Sequence, residues 1–175
     1  MTQPVFGIVG WKNAGKTTLV EKLVACFTAR GLKVSTVKHA HHDFDIDHPG
    51  KDSYKHREAG AVQVVIASDK RLAMLKENPK NASPAVEDAL RWIDPCDLVL
   101  IEGFKQHSHP KLEVSRETSE KPLIAQSDPT IRAVVADTCP AEIELPVFGA
   151  DDIDAIADFI SKEAGLAVSA GGEFL

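Results

Sequence analysis

The sequence predicts an α/β protein in three layers, with a mostly parallel sheet and an antiparallel hairpin at one edge. Three observations predict it. Short apolar runs ending in glycine or turn residues alternate with stretches of helical periodicity. The run DLVLIEGF (97–104) is continuously apolar through Ile101, as strands covered on both faces are. VQVVIAS and RLAMLKE flank only Asp69 and Lys70, close enough to fold back on each other. The 175 residues, 43% apolar and 26% charged, suit one domain over 1–164 with a flexible tail over 165–175.

PVFGIVG (4–10) reads as a buried strand. Leu19, Val20, Leu23, Val24 and Phe27 then recur at helical spacing, with Gly31 as a left-handed stop. LKVSTVKH (32–39) is a second strand, and it runs into KHAHHDFDIDHPGKDS (38–53), where histidines and aspartates interleave. Asp52 or Ser53 caps a short helix running to about Ala59 and ended by Gly60. After the hairpin, SPAVEDALRWI offers a serine cap and proline at the first helical position. Beyond residue 104, KLEVSR and IRAVVAD read as strands, and DDIDAIADFISKE (151–163) as an amphipathic helix with an acidic first turn.

Bulk composition narrows the function. A net charge of −6 disfavours nonspecific binding to nucleic acid or anionic membranes, and no window is apolar enough to span a bilayer. Cys26, Cys96 and Cys139 are odd in number and widely spaced, which argues against a disulfide framework or a cysteine zinc site. With no secretory signal at the N-terminus, a cytoplasmic setting is expected.

GWKNAGKTT matches G-x-x-x-x-G-K-[ST] from Gly10 to Thr17, directly after a strand and directly before a helix. Backbone N–H groups of such a turn converge on a phosphate chain, and the helix N-terminus adds partial positive charge. Gly10, Trp11, Lys12, Asn13, Ala14, Gly15, Lys16, Thr17 and Thr18 are therefore the expected nucleotide-facing positions, in a P-loop NTPase three-layer fold. Lys16 is expected to reach the β and γ oxygens and Thr17 to ligate Mg²⁺. Glu102 ends the clearest strand, at the edge where open α/β sheets bind ligands, and reads as a Mg²⁺ ligand or the group orienting an attacking water.

Together, GWKNAGKTTLVEKL, TVKHAHHDFDIDHPGKDSYKHREAGA and DLVLIEGFK resemble the molybdopterin-guanine dinucleotide biosynthesis adaptor proteins of the MobB type. The resemblance runs from about Val5 to Lys105 and more weakly through VFGADDIDAIADFI. It implies a homodimer that binds GTP and hydrolyses it weakly. Such a protein works with the guanylyltransferase that attaches GMP to the molybdenum-pterin cofactor. The expected catalytic residues are Lys16, Glu102 and Asp43, and the resemblance implies a second Mg²⁺ acid after the second strand, which either Asp43 or Asp45 fills. Asn-Lys-x-Asp is absent, so guanine preference rests on the resemblance, with Asp137 as the candidate for pairing with the base. The lysine that deviant Walker loops carry directly after the first glycine is also absent, Lys12 standing one place later.

Two other readings compete. The histidines suit Ni²⁺ or Zn²⁺ and so a metal-inserting GTPase, although such proteins use cysteine in the metal motif and Cys139-Pro140 is followed here by Ala141. A small-molecule P-loop kinase is the other, against which the scattered arginines stand. If the stretch 38–53 faces the nucleotide, His39, His41 and His42 are expected to contact phosphate, a partner or a dimer mate, while His48 has no assigned role. Lys38, Lys51 and Arg57 would then meet an anionic pterin phosphate or a partner protein.

Overall fold

The computed structural model of the chain describes residues 3–40, 45–78, 85–116, 121–138 and 143–166. Its main sheet holds six parallel strands in the order β2-β5-β1-β6-β7-β8. In chain order these are β1 (Val5–Val9), β2 (Val34–Lys38), β5 (Leu98–Glu102), β6 (Lys111–Val114), β7 (Ile131–Val135) and β8 (Val147–Phe148). The helices are α1 (Lys16–Ala29), α2 (Asp52–Glu58), α3 (Val86–Leu90) and α4 (Ile153–Glu163). The hairpin, β3 (Gln63–Ala67) and β4 (Leu72–Lys76), pairs antiparallel as expected. It forms a two-stranded sheet of its own instead of an edge of the larger one.

The chain divides into two compact units, one from residues 1–39 and 86–175 and the other from 40–85. In the first, side-chain alternation builds two cores. Phe6, Ile8, Leu98, Leu100, Leu112 and Ala133 meet Leu23 and Phe27 of α1 and Ile156 and Ile160 of α4. On the opposite face Val37, Val99 and Ile101 pack with Val86, Ala89 and Leu90 of α3. Leu98 through Glu102 are all buried because β5 is covered on both sides, which is why its sequence reads as an unbroken apolar run. In the second unit α2 packs on β3, burying Val64.

Three boundaries differ from the sequence reading. α3 is short: Trp92 and Ile93 donate to Ala89 and Leu90, so the helix tightens to i−3 bonds ahead of Asp94-Pro95. α4 starts at Ile153 because Asp152 turns back to accept the Gly149 N–H at 2.9 Å. β8 and a 3-10 turn at Ile124–Gln126 have no counterpart in the sequence reading, since two or three residues carry no period.

At the N-terminal end of β6 a charge is buried. Lys111 is fully enclosed, and its ammonium donates to the carbonyls of His107 and His109 and to Thr130 Oγ1, with Asp128 Oδ2 at 3.4 Å. His109 lies beside it with a buried Nε2 that finds no hydrogen-bond partner among the described residues. Burial, reinforced by Lys111 and His107, pushes the His109 pKa from the ordinary 6.5 down to about 4, while Glu87 and Asp128 oppose the shift.

The unfolded chain therefore takes up a proton on this histidine below about pH 6.5, whereas the folded chain does so only near pH 4. Stability should fall as pH drops through that window. Urea midpoints measured from pH 7 to 4 should decline, and His109→Gln should flatten the decline. An equal slope in both proteins would show that His109 is not its source.

Candidate functional site

The parallel register sets the site. Ile8 of β1 and Lys38 of β2 both pair with Glu102 of β5, so three strand ends lie in one row at the C-terminal edge of the sheet. The chain leaving β1 at Val9 turns through Gly10–Gly15 into α1 and so passes over that row. The turn needs its glycines. A Cβ on Gly10, whose φ is 150°, would lie 2.3 Å from the Val114 carbonyl oxygen, a distance no side chain tolerates. Gly15 caps α1 in the left-handed region at φ 98°, and Asn13 also takes a positive φ of 63°. Ala14 is buried and donates its N–H to the Trp11 carbonyl at 3.2 Å, which closes the loop.

Lys16 folds back across the loop and donates to the Trp11 carbonyl at 2.8 Å. Burial holds its ammonium below the ordinary lysine value. Glu102 opposes that shift and Lys38 adds to it. Thr17 donates its hydroxyl to Glu102 Oε1 at 2.9 Å. Lys38 stands beside both, 3.4 Å from Thr17 Oγ1 and 3.3 Å from Glu102 Oε1. Glu102 is nearly buried, so the Thr17 hydroxyl and Lys38 ammonium offset the cost of keeping a carboxylate there. The Thr17–Glu102 pair offers hard oxygen donors at a helix N-terminus, a donor set suited to Mg²⁺ rather than to a thiophilic metal. The first N–H groups of α1 have no partner within the helix and are available to an anion.

The remaining expected residues are placed as follows. Lys12 and Thr18 are exposed on the loop and first helical turn. Asp137 is exposed two residues beyond β7, at the same sheet edge as the loop, because Val114 pairs with Val135 and Glu113 with Val9. Asp43, with His41 and His42, lies outside the described residues. Asp45 belongs to the second unit, where its carboxylate receives the Arg57 guanidinium at 2.7 Å. That hydrogen bond, aided by the Asp47 N–H, holds its pKa below the usual carboxylate range. Arg57 also meets Asp47 at 3.5 Å and Glu77 at 3.1 Å, so it serves an internal network. His39 stacks on Phe104 with ring centroids 4.5 Å apart.

Three cations near the loop have no counterpart in the sequence reading. Arg116 lies over Gly15, its Nη2 3.2 Å from where a Cβ would stand. Lys105 and Lys121 sit over the Trp11 indole. Only Lys105 lies in a quoted motif, at the end of DLVLIEGFK, and the β5–β6 and β6–β7 connections bring the three here. The one available signal was the position of Lys105, three residues past Glu102.

Comparison with known proteins agrees with this geometry. The family model for Molybdopterin guanine dinucleotide synthesis protein B (MobB) matches residues 5–137. A Molybdopterin-guanine dinucleotide biosynthesis adapter protein of Haemophilus influenzae is 42% identical over 91% of this chain and 88% of its own length. The Escherichia coli adapter protein is 35% identical over 90% of this chain and 91% of its own. The crystal structure of a MobB protein homolog from Bacillus stearothermophilus superposes with a TM-score of 0.72 at 32% identity, covering 94% of this chain and all of that one. The architecture is accordingly a P-loop NTPase-like fold.

Lys16 carries the test of the loop. Removing a charged hydrogen bond to phosphate costs about 1.5–3 kcal/mol, or roughly ten- to a hundredfold in affinity. Lys16→Ala should weaken nucleoside triphosphate binding by that factor in calorimetric titrations while the thermal melting profile stays unchanged. Unaltered affinity would contradict the loop's role.

Proposed function

The chain belongs to the molybdopterin guanine dinucleotide synthesis protein B (MobB) family, and on that premise we propose that it is a GTP-binding adaptor with weak intrinsic GTPase activity. It assists the transferase that attaches GMP to the pterin cofactor in molybdopterin guanine dinucleotide biosynthesis. The readings as a nickel- or zinc-inserting GTPase and as a small-molecule kinase find no support in these relatives. Among the described residues no three histidine, cysteine or acidic side chains converge on a point where a metal would be held.

The observation that carries the proposal is the row formed by Lys16, Thr17, Lys38 and Glu102 beneath the loop. The loop's N–H groups and Lys16 hold the phosphates. Thr17 and Glu102 would hold Mg²⁺, which would neutralise charge on the phosphate oxygens when bound. Glu102 also accepts the Thr17 proton and so keeps a hydroxyl oxygen turned toward the phosphate side. Phosphoryl transfer needs little beyond positioning and charge, and no arginine finger is provided within the loop itself, which accounts for slow turnover. Asp137, two residues beyond β7, is the candidate acceptor for hydrogen bonds from a guanine base.

A homodimer is part of the proposal. On the hairpin, Val65, Ala67, Leu72 and Met74 fall on one face by register, and Val65 and Leu72 are 56% and 68% exposed. The opposite face is covered by α2, and the exposed apolar face favours coverage by a second copy.

Two measurements test this reading. Mg²⁺-dependent titration of GTP and ATP, with and without the guanylyltransferase, should give tighter GTP binding and a complex with the enzyme. Glu102→Gln should reduce turnover more than binding. Equal affinity for the two nucleotides, together with no complex, would overturn the adaptor reading. In sedimentation equilibrium the wild-type chain should run as a dimer and Val65→Glu as a monomer. A monomeric wild type would exclude the dimer.

A further inference from the structure

Beside the phosphate loop lies a cationic cluster that the adaptor reading does not use. Trp11 follows Gly10, and its indole is fixed by donating Nε1–H to the Pro122 carbonyl at 2.9 Å. The Lys105 ammonium lies 4.0 Å from the ring centroid and the Lys121 ammonium 4.5 Å from it, both within cation–π range. The backbone of the same residue takes part as well, since the Trp11 carbonyl accepts from Lys16 at 2.8 Å. One residue therefore organises the loop lysine through its main chain and two further lysines through its ring.

The platform beneath is rigid. Glu113 is fully buried, and its carboxylate accepts the N–H groups of Ile124 and Ala125 at 3.0 and 2.9 Å. Those bonds anchor the segment that carries Lys121 and Pro122. Burial, followed by repulsion from Lys16 and from Lys121, holds the Lys105 ammonium below the ordinary lysine value, with Glu113 opposing. Three ammoniums thus lie within electrostatic reach of one another in a chain whose net charge is −6. Like charges gathered at one place disfavour the ligand-free state and favour an anion that bridges them. Lysine is a compact point charge suited to phosphate oxygens, and here each ammonium is already seated over a ring.

We propose that Lys105 and Lys121, seated on Trp11, form a second phosphate subsite beside the phosphate loop. It takes a phosphate dianion, either the terminal phosphate of the bound nucleotide or a phosphate carried by a second ligand. The proposal rests on the loop holding a nucleotide's phosphates. It adds what selects the outermost charge.

The test uses the full chain with Trp92→Phe, which leaves Trp11 as its one indole and so as a fluorescence reporter. GDP and a non-hydrolysable GTP analogue are titrated with Mg²⁺, and inorganic phosphate is then added to analogue-saturated protein. Lys105→Gln and Lys121→Gln should keep GDP affinity within about twofold, because the diphosphate is held by the loop. A loss of about tenfold or more for the analogue alone assigns the subsite to the terminal phosphate. Unchanged analogue affinity, with a Trp11 response to inorganic phosphate that the variants lose, assigns it to a second ligand. Lys105→Arg should restore either signal. Variants matching wild type in both arms would overturn the subsite, and so would variants that lose GDP and analogue equally. Wild-type protein that binds neither nucleotide would instead contradict the loop reading, and phosphate titrated alone would then report on the two lysines.

Discussion

The parallel register between β1 and β5 is the constraint on which the site depends. Because Ile8 pairs with Glu102, the last residue of the second strand stands beside the point where the first strand ends and the loop begins. A slip of one residue would turn Glu102 to the opposite face of the sheet and bring Ile101 in its place. The hydrophobic pattern prevents that slip. Leu98 and Leu100 are buried against α1 and α4, while Val99 and Ile101 are buried against α3, so no shifted register keeps both faces apolar and the acid at the edge. The position of the Glu102 carboxylate is thus a by-product of how the core packs.

The second determinant is the distribution of charge. The protein is acidic overall, yet Lys16, Lys38, Lys105, Lys121 and Arg116 gather at one end of the sheet. The two buried acids there are each committed: Glu102 to Thr17 and Lys38, and Glu113 to two backbone N–H groups. With five cations against two buried acids that are held by local donors, this edge of the sheet favours anions. Elsewhere the charges serve structure. Arg30 bridges Asp154 and Asp158 between α1 and α4 at 2.8 and 2.6 Å, largely exposed and so of small energetic weight.

Sequence was sufficient where a function requires a fixed local pattern. Gly10, Gly15, Lys16 and Thr17 are recognisable because a phosphate-binding turn needs those residue types at that spacing, and Glu102 because an acid ending an apolar strand has few structural reasons to be there. The strands other than β8, and α1, were legible from apolar runs and helical periodicity. What depends on three-dimensional connection was not. That Lys105 and Lys121 meet on Trp11 follows from how two loops return over β1, and no spacing in the chain encodes it. Asp45 shows the same dependence on context. It reads as a free hard-cation ligand, yet a guanidinium twelve residues onward already claims it.

The stretch KHAHHDFDIDHPGKDS shows how context changes chemistry. Read alone, its interleaved imidazoles and carboxylates invite a transition metal. In the fold, Lys38 pairs with Glu102 and His39 stacks on Phe104, so the first two residues close the C-terminal edge of the sheet rather than offering ligands to a common centre. Further on, Asp45 and Asp47 are both drawn to Arg57, and Asp47 accepts from Ser53 at 2.9 Å, pinning the start of α2. A metal competing for these carboxylates would have to displace a guanidinium held by three acids. Removing any one of them would leave that charge less compensated, which is costly where the group is mostly covered. The local composition that looks like a metal motif is, over its described residues, better explained as the anchoring of one arginine and one lysine.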